Sequence, residues 1–290
     1  MRSVTRAVML IGMITALVAG GCSDGADPQR DRSVSLEQLA VSELAPVDGV
    51  VDVRASQEPA TDDALLDRSD PDRWHLYVQV TLEDAVSTAQ AQAAAEELRA
   101  FMDTYHSGPR WTAHVELGPG AASLEVWPEL RTSPSADVAD VLALRDLAGV
   151  QRAATAGGTF SLEVGSASSL PALMPRLREL PAWSAGGSVH AEEGRVRIMD
   201  VPDLVTDEQL QAVIAISLAH PAADVEISAA AQGAQVPVLY LNRLSEAEAA
   251  NVVATLTDPA LAHTADDGYQ LDFALRSDAG DQTGTVGVPG

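Results

Sequence analysis

The sequence predicts an α+β fold built from tandem helix–strand–strand repeats, with antiparallel sheets covered by helices on one face. Three observations predict it. Segments with apolar residues at three- and four-residue spacing alternate with pairs of segments whose apolar residues alternate one by one. Most of the alternating pairs meet at a Gly- or Asp-containing turn, the signature of a hairpin. A short string also recurs: Ser123-Leu124-Glu125-Val126 returns as Ser161-Leu162-Glu163-Val164. Arg195-Val196-Arg197-Ile198, Pro237-Val238-Leu239-Tyr240 and Tyr269-Gln270-Leu271-Asp272 take the same place, on the second strand of a hairpin. Trp74-His75-Leu76-Tyr77 is read as the first member.

In chain order, Ser35-Leu36-Glu37-Gln38 has the spacing of a capping box and opens a helix to about Leu44. A strand over Val47 to Val53 follows a turn at Asp48-Gly49, and Gln57 to Asp72 reads as a polar loop. Trp74, Leu76, Val78 and Val80 share one strand face. An Ala-rich helix from about Glu83 carries Leu98, Phe101, Met102 and Tyr105 as its apolar stripe. Trp111 to Leu117 and Ser123 to Trp127 form a hairpin around Gly118-Pro119-Gly120. A helix over Asp137 to Ala148 precedes strands from Val150 and Thr159.

Leu170, Leu173, Met174, Leu177 and Leu180 form the clearest helical stripe, followed by a hairpin at Glu192-Glu193-Gly194. Thr206 to Gln209 is a second capping box, for a helix with Leu210, Val213, Ile214, Ser217 and Leu218 on one face. Strands near Ala223 and Val236 follow. Ser245 to Glu248 is a third box, and a last hairpin turns at Asp266-Asp267-Gly268. Trp111 and Trp183 each come between a helix and a strand, which predicts packing against the sheet. The order strand–helix–strand–strand–helix–strand resembles the ferredoxin-like sandwich, and two or three such units would use most of the chain. This resemblance carries no functional residues with it.

The division that follows is a signal peptide over 1–21 and a lipidated cysteine with flexible tether over 22–33. A first α+β unit over 34–130, further repeats over 131–276 and a disordered tail over 277–290 complete it.

The leader itself is read from Arg2 and Arg6, an apolar run from Ala7 to Ala19, and small residues before Cys22. The run is too short to span about 30 Å of hydrocarbon comfortably. Ala19-Gly20-Gly21-Cys22 resembles the lipobox of bacterial lipoproteins, with Ala19 standing where the family usually has Leu. The resemblance covers the first 22 residues. It implies diacylglyceryl transfer to the Cys22 thiol, cleavage before it, and a protein held on the outer face of the cell membrane by that lipid. Ala19-Gly20-Gly21 also fits an ordinary signal peptidase, which would release the protein. Cys22 is the single cysteine in the chain, so no intrachain disulfide can form.

Composition removes several functions. The formal net charge is −24, and loss of the leader with Arg2 and Arg6 makes the remainder more negative still. Such a surface does not hold nucleic acid, whose binding rests on cationic contacts to phosphate, and it is repelled by anionic headgroups. There is no lysine, which removes Schiff-base, P-loop and serine–lysine chemistry. Aromatic content of 4% disfavours sugar- and base-stacking surfaces.

No catalytic motif is present. His75, His106, His114, His190, His220 and His263 form no zinc-binding spacing. Glu192-Glu193 and Asp266-Asp267 precede turn glycines, where acids are ordinary, and Asp62-Asp63 is a further acidic pair. Asp278 to Asp281 does not match a calcium loop. Gly118-Pro119-Gly120 precedes no helix, and Gly187-Ser188 lacks a strand-to-helix elbow.

The expectation is therefore a membrane-anchored envelope lipoprotein without cofactor, binding or scaffolding an envelope protein or polymer. One alternative is a cell-wall or exported-substrate enzyme, which needs some of His75, His106, His114, Asp103 and Glu116 to converge. The other is a lipoprotein carrying a small ligand between sheet and helices.

Overall fold

Local hydrogen-bonding signals start three of the helices. Ser87, Thr206 and Ser245 each accept a bond from the backbone N–H three residues on, while Gln90, Gln209 and Glu248 reach back to the cap N–H. The computed structural model describes residues 28–59, 74–105, 110–118, 122–126, 134–156, 158–200, 204–229, 237–263 and 270–289. Cys22 and the leader lie outside them, as do His106, Trp127 and the pairs Asp62-Asp63 and Asp266-Asp267.

Six helix–strand–strand units follow one another among the described residues. The first three are α1 (Pro28–Leu44), β1 (Val50–Pro59) and β2 (Trp74–Leu82); α2 (Thr88–Thr104), β3 (Arg110–Glu116) and β4 (Ala122–Val126); and α3 (Pro134–Arg145), β5 (Val150–Ala156) and β6 (Thr159–Ser166). The next are α4 (Leu170–Arg178), β7 (Gly187–Glu193) and β8 (Val196–Asp200), then α5 (Asp207–Ala219), β9 (Asp224–Ala229) and β10 (Pro237–Leu244). The last is α6 (Glu246–Leu256), β11 (Asp272–Ser277) and β12 (Gly280–Thr285).

All twelve strands join one sheet, in sequence order from β1 to β12. Within each unit the two strands pair antiparallel. Between units the pairing is parallel. A helix that carries the chain back along the sheet delivers the next strand in the same direction, so each crossover makes a parallel neighbour. Such crossovers are right-handed, which puts the helices on a common face.

Burial agrees. Along β4, β6, β7 and β8, buried residues alternate with partly or fully exposed ones. The buried set merges with the helices' inner faces into one core, from Ala40 and Leu44 to Leu275 and Val286.

Several expectations change. The sheet is single and mixed, where antiparallel sheets in ferredoxin-like units were expected. The crossover helices join adjacent strands, so no strand is inserted between them. Helix α1 begins at Pro28, inside the expected tether, and Ser35 lies within it rather than at its start. Helix α2 begins after Ser87, not at Glu83. On α5, Leu218 is exposed while Ser217 and Ile216 are buried. The recurring string falls on the second strand of the first five hairpins. In the sixth unit Asp272 begins the first strand, because the second strand is β12. The expected disordered tail therefore contains a strand, and the last hairpin turns at Asp278-Ala279.

Candidate functional site

The sheet has one face under helices and one turned away from them. On the second face, β2 presents His75, Tyr77, Gln79 and Thr81, and β3 presents Thr112, His114 and Glu116. His75 stacks on Tyr77 with ring centroids 5.0 Å apart, and its Nε2 shares a hydrogen bond of 2.9 Å with Thr112 Oγ1. Thr81 Oγ1 donates a long bond to Glu116 Oε2 at 3.4 Å. His114 has Gln79 on one side and Glu125 on the other. Further along, a row crosses the sheet through Arg152, Glu163, His190, Arg197, Glu226 and Tyr240.

Three residues of the catalytic alternative, His75, His114 and Glu116, thus share adjacent strands on the open face. Asp103 does not join them. It lies on α2, within 3.9 Å of Arg99, with the sheet between it and the histidines. Among the described residues no three His, Cys, Asp or Glu side chains are grouped to hold a metal ion.

Two features escaped the sequence. The first is a buried ionic clasp between α4 and the end of β8. Asp200, fully buried, accepts from Trp183 Nε1 at 2.9 Å and from Arg178 Nε at 3.0 Å, and also from Arg178 Nη2. Arg178 further donates to Asp207 at 2.6 Å and to the Val205 carbonyl at 2.8 Å. Burial alone would lower the guanidinium pKa, but the bonds and charge of Asp200, then Asp207, raise it. Every partner is internal, so this is a structural clasp that ties α4 and α5 to the sheet.

The second lies at one corner of the open face. Asp224, at the start of β9, is held from both sides: Arg195 Nη1 reaches one oxygen at 3.3 Å and Arg243 Nε the other at 2.9 Å. Both arginines have left-handed backbone, with φ of 48° and 66°. Arg243 sits in a bulge of β10, where register shifts between Leu241 and Leu244. The only sequence signal was arginine itself, scarce in so acidic a chain.

These features define an α+β protein with one twelve-stranded sheet that, among the described residues, carries helices on one face and polar side chains on the other. Comparison with models of protein families, with curated proteins and with solved structures returned no match.

Proposed function

We propose that this chain is an envelope lipoprotein, anchored through lipid on Cys22, that displays the open sheet face to bind or scaffold a partner outside the membrane. The observation that carries the binding role is the one-sided sheet. Among the described residues one face of that sheet stays polar and carries no helix, which leaves side chains such as His75, Tyr77, His114 and Tyr240 available for contact. The anchor rests on the leader and on the position of Cys22. No described helix is long and apolar enough to cross a membrane.

Detergent phase partitioning with mass spectrometry of the mature N-terminus tests the anchor. The native protein enters the detergent phase and carries the mass of two acyl chains, while Cys22→Ser remains aqueous. An aqueous native protein with an unmodified thiol refutes it. A pull-down from crosslinked cells tests the display role, and recovery of no partner refutes that part.

A further inference from the structure

The first unit is built on the same plan as the third. Val47 and Val50 bond back to Leu44 and Val47, as Leu147 and Val150 do to Leu144 and Leu147. Gly49 and Gly149 both have left-handed backbone, with φ of 85° and 94°. Each first strand then carries the same bulge, between Val50 and Asp52 and between Val150 and Arg152. The two units differ in what precedes them. Before unit three come α2 and β4: Ser135 on α3 bonds Glu96 on α2, and Ala153 of β5 pairs with Ala122 of β4. Nothing precedes unit one among the described residues, where β1 ends the sheet and pairs with β2 alone.

Burial records that difference. Val141, Ala153 and Thr155 are buried, at 0%, 0% and 2% exposure. At the matching places, Val41 is 41% exposed, and Val53 and Ala55 are only half-buried. Val41 lies on the flank of α1 turned away from α2. Ala40 and Leu44 are buried, Tyr105 of α2 donates to Glu43, and Val41 stands about 200° round the helix from Glu43. Helix and strand rises of about 1.5 and 3.3 Å per residue put Val41 level with the start of β1. There Val51, in the bulge, is 64% exposed.

The other end of the sheet is finished differently. Asp281, Gln282 and Thr283 on β12 are exposed and polar, as suits the terminal repeat of a stacked array. Of the two edge strands, β1 is thus the apolar one, and a long unprotected edge is a template for pairing.

The charges of β1 fit a second β1. Asp52 and Arg54 share the open face, and Arg54 spends only its Nε on Asp52 within the strand, so further N–H groups remain. In an antiparallel pair, residues directly opposite point to the same face. A two-fold axis at Val53 sets Asp52 against Arg54 of a second copy, and Arg54 against its Asp52, so that the four charges alternate. An axis at Asp52 or at Arg54 sets that residue against itself, and one at Ala55 sets Arg54 against Ser56.

We infer that β1 joins β1 of a second copy of this chain, antiparallel about Val53, in a two-fold dimer with one continuous sheet. Val53 meets its counterpart on the helical side, and the two α1 helices run antiparallel over the join with their Val41 side chains together. The unfilled apolar flank supplies the drive, and the alternating charges select the register.

Sedimentation velocity of the purified protein carrying Cys22→Ser, which excludes both lipid and a disulfide between copies, tests this. Between about 1 and about 300 µM the protein shifts from monomer toward dimer and goes no further. Val41→Glu weakens the dimer at least about tenfold. Arg54→Asp alone and Asp52→Arg alone stay monomeric, since each sets like charges against each other. Mixed, these two variants pair, because every acid then faces an arginine, and the exchanged protein with Asp52→Arg and Arg54→Asp regains self-association. Loss of fold cannot be rescued in this way, and circular dichroism melts confirm that each variant is folded.

A protein that stays monomeric at every concentration overturns the inference, as does a dimer that Arg54→Asp leaves intact. Failure of the two single variants to pair when mixed overturns it as well. Growth beyond the dimer overturns it in favour of head-to-tail joining of β12 to β1.

Discussion

At the scale of single residues, two side chains carry more than their share. Asp200 is a buried carboxylate whose charge is met by Arg178 and by the Trp183 N–H. Asp200→Ala strands a buried guanidinium and an indole donor, and is expected to cost about 3–5 kcal/mol in urea unfolding. Asp200→Asn, with one acceptor left, costs less. Gly187 lies under the Trp183 ring, and a Cβ there would meet Trp183 Cη2 at 2.7 Å and the Phe160 carbonyl at 2.8 Å. Gly187→Ala should destabilise by about 1–3 kcal/mol, read from the same transition. The packing of Trp183 against the sheet was legible, because a large ring between helix and strand has nowhere else to go. The clasp was not: Asp200 ends a strand, where an acid reads as solvated, and nothing in the sequence says that Arg178 folds back over it.

Among elements, the helices were read best where a capping box preceded an apolar stripe. The boxes at Thr206 and Ser245 are visible in the sequence, and so is the same pattern at Ser87-Thr88-Ala89-Gln90, although the apolar spacing alone starts that helix near Glu83. Ser87→Ala and Thr206→Ala should each lower stability by about 1 kcal/mol, measured by chemical denaturation. The third box adds a pH dependence. Ser245 Oγ and N–H, then His220, hold the Glu248 carboxylate and lower its pKa from 4.5 to about 2. A carboxylate with a depressed folded-state pKa stabilises the protein above its unfolded value and loses that contribution as pH falls through the folded one. The stability of α6 should therefore decline between about pH 4.5 and 2, and Glu248→Gln should flatten that part of the acid-unfolding curve. A Glu248 carboxyl resonance titrating near 4.5 would contradict this.

Strand β12 was missed because Gly280-Asp281-Gln282-Thr283-Gly284-Thr285 has no apolar residue to alternate. The strand itself stays largely exposed and is held by its neighbour: the Phe273 ring lies over Gly284, where a Cβ would sit 2.6 Å from Cζ. A chain ending at Ser277 should melt at lower temperature and expose that ring to quenching.

The whole molecule repeats more regularly than its sequence. Units one, three and four share a helix-to-strand junction in which residues three apart bond twice in succession. Val47 N–H reaches Leu44 and Val50 N–H reaches Val47, at 3.1 Å each. Leu147, Val150, Leu180 and Trp183 repeat the pattern, at 3.2, 3.2, 2.9 and 2.9 Å. The sequence reading caught the hairpin strings but not this junction, whose residues vary from valine to tryptophan. Unit order was legible and the parallel joins were not, since strand direction is decided by where a helix returns the chain. Because every strand touches only its sequence neighbours, hydrogen exchange should open from the ends inward, with β5 to β8 slowest. Uniform protection from β1 to β12 would contradict that expectation. The linear strand order has a mechanical corollary. A molecule fixed at its N-terminal end and pulled from the other need not fail all at once. It can shed one hairpin and its helix at a time, lengthening in six steps rather than one.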